Sequence, residues 1–134
     1  MAHTVILLVD DEKTVLDSLA AQLQRLHPGQ FECEAAESAD EALEVLQQLH
    51  DEDAEVIVVV SDWLMPGMRG DEFLARVRAT WPRIGRILLT GHADPAALER
   101  ARTAAAVHRI LFKPWRPEEL RDAIQRAAHE GETA

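Results

Sequence analysis

Two runs of the chain, TVILLV at residues 4–9 and VIVVVSD at 56–62, carry apolar residues side by side rather than at every second position. A strand with one wet face alternates; a strand covered on both faces does not. Strands covered on both faces belong to parallel sheets layered with helices, because a parallel crossover needs a dozen or more residues. The intervening segments supply them. In KTVLDSLAAQLQRL (13–26), Val15, Leu16, Leu19, Leu23 and Leu26 share one helical face, and HPG (27–29) stops the helix. FECEA (31–35) alternates and suits an edge strand. Ser38 and Glu41 have capping-box spacing ahead of a stripe of Ala42, Leu43, Leu46 and Leu49. HDEDAE (50–55) reads as an acidic surface loop.

The same alternation continues beyond the strand at 56–62. WLMPGMRG is a loop punctuated by Pro66, Gly67 and Gly70, and Phe73, Leu74 and Val77 mark a third helix. RILLT (86–90) is a fourth strand, Asp94 and Pro95 open a fourth helix over about 95–105, and RILF (109–112) is a fifth strand. Pro117, Leu120, Ile124 and Ala127 give the last helix. Five βα units in strict alternation predict an α/β fold: a five-stranded parallel sheet with five helices on both faces. With the alternating second strand at an edge, the order is 2-1-3-4-5, a flavodoxin-like arrangement. A single domain over 1–134, with its core over about 4–129 and no output domain, is expected from the 134 residues.

Composition excludes some functions. Twenty-four acidic against 14 basic side chains give a formal charge of −10, so direct nucleic-acid binding is not expected. VILLV is too short for a signal peptide, and no stretch reaches membrane-spanning length, so a cytoplasmic protein without membrane contact is expected. One cysteine, Cys33, forms no internal disulfide and reads as a small hydrophobe on the second strand.

Ligands of open parallel sheets bind at the carboxyl ends of the strands. The residues there are Asp10 and Asp11 after strand 1, Asp62 after strand 3, Thr90 after strand 4 and Lys113 after strand 5. Taken singly, each has an ordinary role: helix-capping acids, a turn residue, a strand threonine, a surface lysine. Taken together, they place three carboxylates, a hydroxyl and an ammonium in one pocket. Clustered carboxylates repel, and a hard cation relieves the repulsion; an all-oxygen ligand set points to Mg²⁺. An aspartate beside such an ion, facing two donors, is equipped to attack phosphorus and to hold the new phosphoryl oxygens.

The segments ILLVDDE, VVVSDWLMPGMRG, ILLTGHAD and LFKPW resemble the receiver domain of bacterial two-component response regulators, through nearly the whole chain. The resemblance implies that Asp62 is the phosphoacceptor, served by a sensor histidine kinase or a phosphotransfer protein. It implies that Asp11, Asp62 and the backbone carbonyl of Leu64 bind Mg²⁺, or Mn²⁺ in its place, with Asp10 acting largely through a water. Thr90 and Lys113 would bind the phosphoryl oxygens, and Pro114 would follow a cis bond that aims the lysine inward. A signalling output through the face of helix 4, strand 5 and helix 5, onto an output domain, an effector or a second copy in a homodimer, is the expected consequence; Trp115, Arg109 and Arg116 cluster there in sequence. Two positions depart from the pattern. Ile110 stands where receivers usually carry a switching Tyr or Phe, so His108 or Trp115 is the candidate to report the change. Leu64 stands where a polar side chain often places the hydrolytic water, so a phosphorylated lifetime longer than minutes is expected, with His92 as a partial substitute.

Other readings are weaker. An Asp-nucleophile phosphohydrolase would need a second Asp at Leu64. A flavodoxin-like FMN carrier would need a phosphate loop in place of DDEKT. A degenerate receiver working without phosphorylation would not keep all the chemical residues. Trp63 reads as packing or pocket rim, Met65 and Met68 as loop packing, and His3, His27, His50 and His129 as solvated surface residues.

Overall fold

A computed structural model describes residues 4–91 and 94–133. Within them, strands and helices alternate: β1 Thr4–Val9, α1 Lys13–Leu26, β2 Glu32–Ala36, α2 Ala39–Asp51, β3 Glu55–Asp62, α3 Gly70–Thr80, β4 Gly85–Thr90, α4 Pro95–Thr103, β5 Arg109–Phe112 and α5 Pro117–Glu132. All pairings are parallel and the order is β2-β1-β3-β4-β5, as the pattern predicts.

The non-alternating strands are covered on both faces. Leu7 and Val9 of β1, Val59 of β3 and Leu88 of β4 pack on one side with the stripes of α2, α3 and α4. Ile6 and Leu8, Val58 and Val60, and Ile87 and Leu89 face the other side, against Leu16, Leu19 and Leu23 of α1 and Leu120, Ile124 and Ala127 of α5. Consecutive residues thus enter different cores, and no position between them is left for a polar side chain. β2 closes one edge with Glu32 and Glu34 exposed, charges that discourage pairing with another sheet.

Local chemistry sets the ends. Ser38 Oγ accepts from the Glu41 backbone N–H (3.1 Å), while the Glu41 carboxylate reaches the Glu37 N–H (3.2 Å), one residue short of a reciprocal box. Asp94 caps α4 through the Ala96 N–H (3.1 Å), with Pro95 as its first residue. Several boundaries differ from expectation. α2 runs through His50 and Asp51, and β3 starts at Glu55, so the acidic loop shrinks to residues 52–54; Asp53 turns the chain at φ 58°. α4 stops at Thr103, ahead of a turn at Ala106 with φ 45°.

His27 is a correction. It is 5% exposed instead of solvated, because the turn after α1 folds its ring onto Phe31, with centroids 5.4 Å apart. His3 lies outside the described residues. At the amino-terminal edge of the sheet, a cavity of about 480 Å³ opens between α2, β3 and the end of α5, lined by Leu46, Ile57, Trp81 and Ile84. Among the described residues, no helix is long and apolar enough to cross a membrane.

Candidate functional site

The sheet register carries the chemical residues to one edge. Asp10 follows β1 directly, Asp62 ends β3, Thr90 ends β4 and Lys113 follows β5. Backbone bonds extend the ladder past the strand ends: Trp63 N–H donates to the Leu89 carbonyl (2.9 Å) and Lys113 N–H to the Thr90 carbonyl (2.8 Å). The side chains therefore project from a fixed frame into a shallow cavity of about 310 Å³, whose lining includes Asp11, Asp62, Leu64, Thr90, Gly91 and Lys113.

Lys113 Nζ donates to Asp62 Oδ1 at 2.8 Å and lies 3.8 Å from Asp10 Oδ2. Burial opposes the ammonium charge, but the hydrogen bond to Asp62 and the surrounding carboxylates outweigh it, and the Lys113 pKa is raised. Asp10 is fully buried. Its Oδ1 accepts from the Glu12 N–H (2.8 Å), and its Oδ2 has no hydrogen-bond partner among the described residues. Burial pushes the Asp10 carboxyl up to about 6, against the Glu12 bond and with the Asp62 charge adding to the rise. Carboxylate oxygens of Asp10, Asp11 and Asp62 all lie within 4.8 Å of one another. At that spacing each pair repels by about 4 kcal/mol at an effective dielectric near 20. A buried carboxylate oxygen without a partner, in an all-oxygen cluster, fits a hard divalent cation.

The structure thus brings together Asp10, Asp11, Asp62, Thr90 and Lys113, and puts Leu64 at the rim with half its surface exposed (51%). The Lys113–Pro114 bond is cis. Ile110 is half-buried against the core shared by α2, α3 and α4. Trp63 is both rim and packing, at 8% exposure, and Met65 is buried beside it. Trp115 does not join the expected α4–β5–α5 cluster: its indole N–H donates to Gln22 Oε1 of α1 (3.0 Å), and its ring packs on the α1–α5 core. Arg109 pairs with Glu130 of α5 at 2.9 Å. His108 Nδ1 accepts from the Arg86 backbone N–H (3.0 Å). His92 lies outside the described residues.

Two residues near the site were not singled out for it in sequence. Gly70 N–H donates to the Trp63 carbonyl at 2.7 Å, and a Cβ on Gly70 would fall 2.1 Å from the Asp62 carbonyl oxygen. Only glycine lets α3 start this close to the acceptor strand. Asp71, 2% exposed, accepts from the Trp63 indole N–H (3.0 Å) and from Arg100 Nε of α4 (2.9 Å). Locally Asp71 is an ordinary first-turn acid; its partners are separated from it by 8 and 29 positions.

Comparison with known proteins agrees with this geometry. The family model "Response regulator receiver domain" matches residues 6–125. The hydrogenase transcriptional regulatory protein HoxA of Cupriavidus necator is 34% identical over 93% of this chain, which corresponds to 24% of HoxA. The chain spans about a quarter of the length of this and the next curated relatives. The chemotaxis protein CheY1 of Helicobacter pylori strain J99 is 31% identical over 90% of this chain and 93% of its own. The signal receiver domain of an HD domain-containing protein from Pseudomonas fluorescens Pf-5 superposes with a TM-score of 0.83 at 32% identity, covering 98% of this chain and 99% of that one. The fold, the acidic cluster at the strand ends and these matches together make the chain a member of the response regulator receiver domain family.

Proposed function

We propose that this chain is a phosphorylation-switched signalling receiver in which Asp62 accepts a phosphoryl group from a phosphohistidine donor. The observation that supports it most is the placement of Asp62 at the mouth of the cavity, bonded to Lys113 at 2.8 Å and clustered with Asp10 and Asp11. A carboxylate oxygen of Asp62 attacks phosphorus in line, the P–N bond breaks, and the imidazole leaves with the electron pair. Lys113 stays beside the acceptor to neutralise a phosphoryl oxygen, and Thr90 supplies a hydroxyl from the end of β4. Mg²⁺, held by Asp11, Asp62 and the Leu64 carbonyl with Asp10 behind them, would offset phosphoryl charge during transfer. The donor is a sensor histidine kinase or phosphotransfer protein, and the setting is the cytoplasm. The response reaches an output domain or effector through the surface of α4, β5 and α5. A phosphohydrolase is disfavoured because Leu64, two residues past the acceptor, has no proton to give a leaving group.

The test uses Trp63 fluorescence in a Trp81→Phe, Trp115→Phe background. Emission should change with Mg²⁺ and again with acetyl phosphate or beryllofluoride, and Asp62→Asn should lose the second change. Mass spectrometry finding no phosphoryl adduct on the intact protein after acetyl phosphate and Mg²⁺ would overturn the proposal.

A further inference from the structure

We propose that Asp71 is the coupling residue of this receiver, transmitting displacement of the Asp62–Trp63 segment to α4 through the Trp63–Asp71–Arg100 bridge. This rests on the phosphoacceptor reading of Asp62 and adds the route out of the site.

Trp63 links the cavity to α3. Trp63 is among the residues that line the acceptor cavity, and its indole N–H donates to Asp71 Oδ1 at 3.0 Å. The other Asp71 oxygen takes the Arg100 Nε–H at 2.9 Å, and Arg69 Nε stands 3.4 Å from Oδ1. The Asp71 side chain is 1% exposed, whereas that of Arg100 is 42% exposed. The carboxylate is therefore fixed and water-poor, and the guanidinium is its adjustable end. A shift of the indole that weakens its bond leaves Oδ1 with only the long 3.4 Å bond from Arg69, and the buried carboxylate answers by drawing Arg69 and Arg100 closer. The start of α3 cannot absorb the shift alone, since Gly70 is locked against the Asp62 and Trp63 backbone.

The far end of α4 is held independently. Arg78 of α3 donates to the carbonyls of Thr103 (3.2 Å) and Ala104 (3.4 Å). Arg86 of β4 donates to those of Ala105 (2.9 Å) and Ala106 (3.2 Å). With its carboxyl end anchored, α4 responds to a pull on Arg100 by pivoting its amino-terminal half. Ile110, being aliphatic, offers no ring to carry such a motion; the bridge supplies a route through α3 to α4 instead.

Backbone amide NMR decides the matter. In the resting protein, Trp63→Phe deletes the indole donor and should move the Arg100 side-chain N–H and the amides of residues 96–100. In an Arg100→Gln background, the same substitution should leave those amides in place. With beryllofluoride and Mg²⁺, Arg100→Gln should still saturate the acceptor site, yet the shifts on α4 should fall by more than about half. Arg100→Lys, which keeps the charge, should restore part of them. Unchanged α4 responses in Arg100→Gln in both arms would overturn the link. Arg100 is half-exposed, so this variant folds even where Asp71→Asn does not. A wild-type protein that ignores beryllofluoride counts against the phosphoacceptor, while the Trp63→Phe arm still decides the bridge.

Discussion

Asp10 holds one buried carboxylate oxygen without a hydrogen-bond partner among the described residues, with the Lys113 ammonium no nearer than 3.8 Å, and the folded chain bears that cost. Its carboxyl sits near 6 against an ordinary 3.8, so at neutral pH the charged form weakens the fold by about 2–3 kcal/mol. Asp10→Asn removes the charge and keeps the shape. Without divalent ions it should raise the urea midpoint, by about 2 kcal/mol of stability, and weaken Mg²⁺ binding in a Trp63 fluorescence titration at least tenfold, on the order expected for a lost carboxylate. Leu64 argues in the opposite direction, toward a property of the phosphorylated form. Half-exposed at the cavity rim, it keeps apolar surface where a hydrolytic water would need a partner. The phosphoryl group should persist for longer than minutes, and Leu64→Asn should shorten its lifetime; decay of the wild type within seconds would contradict this.

Helices and strands here are fixed partly by bonds that run between elements. Arg86 is the clearest case: 3% exposed, it gives its guanidinium to four carbonyls, those of Ala105, Pro82, Ile84 and Ala106, and among the described residues it has no carboxylate against it. A lysine there has the charge without the planar fork, so Arg86→Lys should destabilise the domain by about 3 kcal/mol in urea melts and loosen the α4–β5 turn in hydrogen exchange. Gly70→Ala should cost about 1–3 kcal/mol by forcing α3 away from the acceptor strand, and should dull the beryllofluoride response with it. Residues of this kind mark where the sequence stops being legible. The strands, the helix stripes and the five residues at the strand ends follow from periodicity and from the rule for open sheets. Arg86 sits where a polar residue before an apolar run looks unremarkable, Asp71 looks like a first-turn acid, and Trp115 looks like a neighbour of Arg116 although its indole turns to α1. His27 misleads for the same reason, since its burial is decided by Phe31 and by the turn between them. Local pattern reports which face of an element is covered, and says nothing of the distant atom that a long side chain will find.

At the scale of the molecule, the titrations of buried Asp10 and half-buried His108 oppose each other. Burial, then the nearby Arg86 charge, lowers the His108 pKa, and its Nδ1 accepts the Arg86 N–H. The unfolded chain takes up that proton first, so stability is lost as pH falls below about 6.5. Asp10 has a raised carboxyl, so stability is gained as pH falls through about 6 toward 3.8. The two contributions therefore offset one another in part between about pH 7 and 5, and Asp10→Asn, which keeps only the His108 contribution of the pair, should lose more stability on acidification over that range than the wild type. His108→Asn in the same background should remove the loss, since an amide oxygen can accept the Arg86 N–H without titrating. The three indoles sit in three separate districts: Trp63 at the acceptor, Trp81 in the cavity at the opposite edge, and Trp115 against α1. A set of proteins each retaining a single one would act as three built-in optical gauges. Stopped-flow traces from them would time a signal's passage across the molecule, from arrival to far rim, with no dye attached.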